Sequence, residues 1–450
     1  MTNLPRTLGF RDLVLLTVGS VIGSGIFLVP GGVLRQVNGF IIPALLVWLV
    51  GGVLSLLGAL TYGELGAMKP QAGGLYVYIR DAFGRLPAFL FGWTLFFVIA
   101  SGAVATLAVA FATYLGELLP LSALTEKFVA ILMITAVSLV NVIGTRTSAN
   151  VQNWTTLVKV LAILLMSVAL LWLGRGFTGT AAILLPAHYD ASLASGFGLS
   201  MLGVLWAYEG WQFVTYCAGE VKDVQRTFPR ALLAGTALII GIYLLANIGY
   251  LAALAPAGVM NSNRVAATAV ANLINPSVSK LITITILISM FSAANGVTLT
   301  ASRVFFAMAR DRVFFQRLAE VHPRFQTPAF AVIAGGLWST VLAITGTFEQ
   351  LLTYVVFIGW IFYALAAASI FVYRKRIPDA VRPYRVPGYP LTPLVFIIAA
   401  AALVLNTIVT QPARAGIGLG IVIIGVPAYL IWRHRSAHAE DSSLVGEPEK

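Results

Sequence analysis

Twelve runs of apolar residues, each long enough to cross the ~30 Å hydrocarbon core of a bilayer, dominate this chain. They cover approximately residues 12–36, 41–67, 83–116, 127–144, 152–174, 197–219, 231–254, 279–308, 328–346, 350–373, 391–410 and 415–432. A backbone with no water around it must satisfy its own hydrogen bonds, so such runs fold as helices. The predicted fold class is therefore all-α: a polytopic membrane protein of 12 transmembrane helices. A composition of 59% hydrophobic and 10% charged residues leaves no room for a soluble globule. No cleavable leader is expected, because the first run follows a short polar arm and reads as a true span.

The basic charge follows from the same arrangement. With the N-terminus in the cytoplasm, 22 of the 29 Lys and Arg fall on cytoplasmic ends or loops. Six fall outside, Arg35, Lys127, Arg175, Arg264, Lys280 and Arg414, and Lys159 lies within a span. This bias places both termini inside, so the net charge of +12 reports topology and implies no nucleic-acid partner. The one cysteine, Cys217, lies in the sixth span and excludes structural disulfides.

Two spans are irregular. The first carries VGSVIGSGIF over 18–27, with Gly19, Gly23, Gly25, Ser20 and Ser24, followed by Pro30. Glycine weakens a helix and proline removes a donor from the next turn. An opened backbone at this depth is allowed only when buried in protein or lining a wet cavity. Two half-helices meeting there would offer free carbonyls and free N–H groups, suited to the ammonium and carboxylate of an amino acid. The alternative is that Gly and Ser only admit a close neighbouring helix. The sixth span carries LWAYEGWQFVTYCAGE over 205–220, with Glu209 beside Gly210. An ionisable group so deep faces a cavity or a partner. The two anomalies lie five spans apart and cross the membrane in opposite directions, as an inverted repeat of spans 1–5 and 6–10 requires.

The domain reading is a cytoplasmic arm 1–11, a first repeat 12–174, a polar external loop 175–196, a second repeat 197–373, two further helices 391–432 and a disordered polar tail 434–450. The loop 68–87 is expected to be structured, and Glu64 beside it to snorkel or form a salt bridge. Span 8 carries Ser289, Ser292, Asn295 and Thr298, either facing the interior or packing helices. A filter-bearing channel is disfavoured, since no ring-forming sequence occurs. An enzyme is disfavoured because the four histidines, His188, His322, His434 and His438, lie in loops or the tail with no metal-ligand spacing. No cofactor and no metal are expected. A receptor would use the same site and is separated from a transporter only by flux.

Taken together, GSGIF in span 1, AGGLYVYIRDAFG after span 2, WAYEGW with AGEVKDVQRTFPRAL in and after span 6, and SRVFFAMARD ending span 8 resemble the APC superfamily of amino acid, polyamine and organocation transporters. VQNWTTLVKVLA in span 5 is similar to the L-type amino acid transporters within it. The resemblance implies a five-plus-five (LeuT-like) inverted-repeat fold with broken helices 1 and 6. It implies a sodium-independent secondary transporter of neutral or broad-range L-amino acids, exchanging by alternating access in the cell membrane. A proton symporter, or a carrier of cationic amino acids or polyamines, is the alternative. Carried over by motif, the N–H groups of Ser24 and Gly25, with Gly23 adjoining, would hold the carboxylate, and the carbonyls of Val21, Trp206 and Glu209 the ammonium. Side-chain choice would fall to Trp206, Tyr208, Ser292 and Asn295, with Ala207 and Gly210 completing the stretch.

Lys159 either snorkels or bonds carbonyls freed in span 1, where sodium-coupled relatives bind a cation. Lys159, Glu209 and Trp206 are the candidate coupling and gating residues. For Glu209 a structural role, substrate-charge recognition and proton carriage stay open. Leu75 stands where relatives often have Glu, and Arg312 where many have Gly. No cysteine lies between spans 3 and 4, so a disulfide-linked heavy subunit is not expected.

Overall fold

A computed structural model describes residues 4–177, 183–188 and 191–444, with the side chains of 348, 349 and 435–444 excepted. Parts of the expected external loop (178–182 and 189–190) and the last six residues of the tail lie outside the described residues. The described chain is helical. Eleven of its helices are long and apolar enough to cross a membrane, and the ninth expected span is a shorter apolar helix, Ala329–Thr345.

The first span is α1 (Phe10–Val21), α2 (Gly25–Leu28) and α3 (Pro30–Gln36). α1 ends because Ile22 turns extended (ψ 91°) after donating to Val18 O. Val29 keeps helical angles, so α3, with Pro30 at its first position, continues α2. There follow α4 (Ile41–Met68), the short α5 (Leu75–Phe83) in the expected structured loop, and α6 (Arg85–Thr94), which passes through a π turn into α7 (Ala100–Leu115). The first half closes with α8 (Ala123–Ile143) and α9 (Thr145–Leu173).

The sixth span is α10 (Ala191–Ala207) and a 3₁₀ segment, Trp211–Glu220, separated by Tyr208–Gly210. Gly210 sits at φ +124°, which favours glycine. A 3₁₀ run of ten residues is far longer than the usual three or four. After it come α11 (Val224–Met260), bent at Ala255 before Pro256, α12 (Val265–Leu273), α13 (Pro276–Arg310), α14 (Ala329–Thr345), α15 (Phe348–Arg376), α16 (Leu391–Thr410) and α17 (Pro412–Leu444). α17 runs on to Leu444, so residues 434–444 are helical where the sequence led us to expect a disordered tail.

The broken span is the centre of the bundle. It packs on α9, α11 and α13, and 83% of its apolar window is buried in protein, against 22% for the last span. The outer helices instead expose Leu, Ile and Val to the surroundings, as lipid-facing surfaces do. Glu64 is fully buried and accepts two hydrogen bonds from Arg374 at 3.0 and 2.7 Å and one from Val386 N–H at 2.7 Å. Of its two readings, the salt bridge holds. Leu75 is buried in the core, and Arg312 adopts φ 59°, the left-handed region where glycine costs nothing.

Candidate functional site

The two breaks meet face to face because glycine lets backbone touch backbone. A side chain at Gly25 would lie 2.5 Å from Ala207 Cα, and one at Gly210 would lie 2.9 Å from Ser20 C and O. Around this crossing is a cavity of about 20 Å³, room for roughly one water. It is lined by Ser20, Val21, Gly23, Ser24 and Gly25 of the first span and Trp206, Glu209 and Phe213 of the sixth. Ala103 and Leu107 of α7, with Ala293 and Val297 of α13, close it. An amino acid does not fit this volume, so the conformation described is closed at its centre.

The carbonyls released by the first break are met from two sides. Lys159, fully buried on α9, donates through Nζ to Gly19 O at 2.7 Å and Ile22 O at 2.5 Å. Ser289 Oγ lies 2.9 Å from Ile22 O and 3.1 Å from Gly23 O. Opposite them, α2 begins at Gly25; Phe27 and Leu28 N–H donate to Ser24 O at 3.1 and 3.2 Å, and the N–H groups of Gly25 and Ile26 precede that first acceptor. On the sixth span, Trp206 O accepts from Glu209 N–H at 3.0 Å, and Trp206 Nε1 stands 3.4 Å from Ser24 Oγ.

Glu209 is held from two helices. Gln212 Nε2 and Tyr363 Oη of α15 both donate to its Oε1 at 2.5 Å, and Gln212 Oε1 accepts from Gly210 N–H at 3.2 Å. The carboxylate thus braces the opened backbone through Gln212.

Of the candidate residues, Lys159, Ala207, Tyr208, Gly210, Ser292 and Asn295 do not line the cavity. Tyr208 packs between Trp48 and Tyr243, with ring centroids 6.2 and 5.0 Å away. Ser292 accepts from Thr155 Oγ1 at 2.9 Å. Asn295 bonds Asn141 at 2.9 Å and Gln152 at 3.0 Å. The polar stripe of α13 at these positions joins α8 and α9, while its neighbours Ala293 and Val297 face the cavity. One helical position turns a side chain by about 100°, enough to exchange the two faces.

Residues outside the candidate set are drawn in. Tyr243 of α11 places its hydroxyl 2.8 Å from Ala207 O and 3.2 Å from Val21 O, bridging both breaks. A tyrosine inside an otherwise apolar run carries a weak sequence signal, because such tyrosines also serve as packing residues.

Toward the N-terminal end of α1, the halves of the two broken spans are coupled. Leu8 and Val221 form a parallel bridge, with Leu8 N–H donating to Glu220 O at 3.0 Å and Lys222 N–H to Leu8 O at 2.9 Å. Glu220 then meets Arg303 of α13, both side chains fully buried, at 2.7 Å, and Thr145 shares the pair. Asp12 of α1 accepts from Arg146 at 2.9 Å and Asn153 at 2.7 Å on α9. Beyond them lies a cavity of about 530 Å³ flanked by Arg6, Gln71, Arg80, Gly219 and Arg310. Among the described residues no group of His, Cys, Asp and Glu could hold a metal.

A family model described as amino acid permease matches residues 8–428. The serine/threonine exchanger SteT of Bacillus subtilis is 31% identical, over 97% of this chain and 98% of that protein. The large neutral amino acids transporter small subunit 2 of Rattus norvegicus is 33% identical, over 96% of this chain and 82% of the relative. The human cystine/glutamate transporter is 32% identical, over 93% and 84%.

Proposed function

The chain belongs to the amino acid permease family, and from that premise we propose that it exchanges L-amino acids across the cell membrane by alternating access, independently of sodium. The observation that carries the proposal is the crossing of two helix breaks at one cavity, with freed carbonyls and freed N–H groups offered side by side. The substrate carboxylate is read by the N–H groups of Ser24 and Gly25, with Gly23 adjoining. Its ammonium is read by the carbonyls of Val21, Trp206 and Glu209. Lys159 supplies the positive charge that a coupling cation would otherwise bring to Gly19 O and Ile22 O. Relatives named as an exchanger and as amino acid transporters support the reading.

The architecture we assign is the five-plus-five repeat, 12–174 and 197–373, with two further helices at 391–432 and both termini cytoplasmic. At 1.5 Å per residue, the 17 residues of α14 reach about 26 Å, so a slightly thinned bilayer accommodates it as the ninth of twelve spans. Cys217, the one cysteine, is buried in the 3₁₀ segment, which supports a transporter without a disulfide-tethered partner.

Counterflow in proteoliposomes tests the reading. Uptake of labelled amino acid that requires unlabelled amino acid inside, with equal rates in sodium and choline buffers, is the expected result. Binding without flux would make the protein a receptor. Accumulation driven by a proton gradient into empty vesicles would make it a symporter, the second reading, for which Glu209 in the cavity wall is the candidate carrier.

A further inference from the structure

The cavity of about 530 Å³ lies on the side assigned above to the cytoplasm, and its walls are parts of the junction that closes the way to the centre. Leu4 and Arg6 belong to the arm whose next residues, Thr7 and Leu8, donate to Glu220 O at 2.9 and 3.0 Å. Gly219, also in the wall, immediately precedes Glu220. Arg80 of α5, with Arg310 and Asp311 at the C-terminal end of α13, completes the charged lining. The lining carries both signs. Arg6 has no ion-pair partner among the described residues, and Arg310 lies over the Phe306 ring at 5.6 Å. Asp311 accepts from Tyr76 Oη at 2.8 Å and Arg80 Nη1 at 2.7 Å, both on Oδ2, so Oδ1 is left as an acceptor. A surplus of cytoplasmic arginine alone reports orientation. A carboxylate with an unused oxygen, set among those arginines around one cavity, is not explained that way.

We infer that this cavity is a second subsite for the amino acid being exchanged, occupied from the cytoplasm before the junction opens. Arg6 and Arg310 draw in the carboxylate, and Asp311 Oδ1 accepts from the ammonium. This rests on the transport reading above and adds a site to it. The central cavity, at about 20 Å³, admits no amino acid in this conformation. The outer one falls within the usual range of ligand pockets, about 300–1,000 Å³, so an amino acid can wait there while the centre is closed. A cleft lined by charge raises the local concentration of a ligand of opposite charge. A plain anion such as phosphate would gain the same arginines but would be repelled by Asp311, whereas a zwitterion uses both signs.

The experiment is exchange by the full-length chain in right-side-out membrane vesicles. The probe is labelled L-alanine, or the fastest-exchanging of the twenty amino acids if alanine does not exchange. Half-saturation is measured separately for internal and external amino acid. Arg6→Gln, on an exposed arm, should raise the internal constant about threefold, as loss of an exposed charge contact implies, and leave the external constant unchanged. Arg6→Lys should recover part of the loss. Arg226→Gln, which removes an exposed charge near the start of α11 outside the cavity, should change neither constant. If the arm only held the junction shut, Arg6→Gln would favour the cytoplasm-open state, lowering the internal constant and raising the external one. That result, or unchanged constants, would overturn the inference. Ethylamine and propionate, each half of the zwitterion, should compete from inside more weakly than alanine. Inhibition by internal inorganic phosphate that Arg6→Gln abolishes would make the cavity a plain anion site and overturn it too. Failure of every amino acid to exchange would instead remove the transport reading on which it rests.

Discussion

Lys159 of α9 reaches Gly19 O of α1 at 2.7 Å, one turn before the helix opens. In an unbroken helix that carbonyl would accept from the N–H of residue 23, but the chain turns extended at Ile22. The ammonium therefore replaces a backbone donor and holds the break open from the side away from the cavity. A snorkelling lysine would point to water, and this one is fully buried.

Removing that donor strands Gly19 O in the protein interior and leaves Ile22 O with Ser289 Oγ alone. Hydrogen bonds to a charged group contribute about 1.5–3 kcal/mol each, so Lys159→Ala should lower exchange at least tenfold. Initial rates in proteoliposomes measure it. A clear requirement of wild-type uptake for sodium would contradict the substitute-cation role.

Tyr243 bridges the carbonyls of Ala207 and Val21 with one hydroxyl, while its ring packs on Trp48 and Tyr208. Tyr243→Phe keeps the ring and should leave thermal stability within a few degrees. Its exchange rate should fall by about fivefold or more, as loss of about 1 kcal/mol implies. A variant with unchanged kinetics would make Tyr243 a packing residue.

Glu209→Gln retains the shape of the group braced by Tyr363 and Gln212. Neutral amino acid exchange should persist in part. Selective loss of arginine and lysine uptake would assign the carboxylate to substrate charge, and loss of pH-driven accumulation alone would assign it to proton carriage.

Glu220 and Arg303 form a fully buried pair. Removing one partner leaves a charge uncompensated, which costs about 3–5 kcal/mol. Glu220→Gln should lower the unfolding temperature in detergent markedly. The double variant Glu220→Leu with Arg303→Met should recover much of the loss, because neither charge remains. Additive effects of the two single changes would show that the pair is not coupled.

Gly25→Val cannot report on the substrate cavity alone. Its side chain would meet Ala207 Cα at 2.5 Å, so it should reduce folded yield together with binding. Gly23→Ala is the cleaner probe: the added methyl would stand 3.0 Å from Leu107 and 3.3 Å from Ala293 at the cavity edge. Folded protein with weakened substrate binding is expected, measured by thermal shift with and without amino acid.

What the amino-acid sequence determined alone are the properties that depend on short stretches. Long apolar runs become helices in a bilayer whatever surrounds them, and Gly23 to Gly25, with Gly210, weaken the helix wherever it packs. The spans and the weak points in the first and sixth of them were therefore legible, while Lys159 stayed divided between snorkelling and bonding freed carbonyls until packing buried it. Tertiary structure decided which side of each helix meets the cavity, because rotation about a helix axis is set by neighbours with no trace in local periodicity. The eighth span, α13, shows this: Ser292 and Asn295 look as suited to a substrate as any residue in the run, yet they bond α8 and α9. The hydroxyl that spans both breaks comes from Tyr243, more than thirty residues from either candidate stretch's core in sequence and adjacent only after packing. That partnership exists because α11 lies against α1 and α4, a fact no stretch of sequence contains.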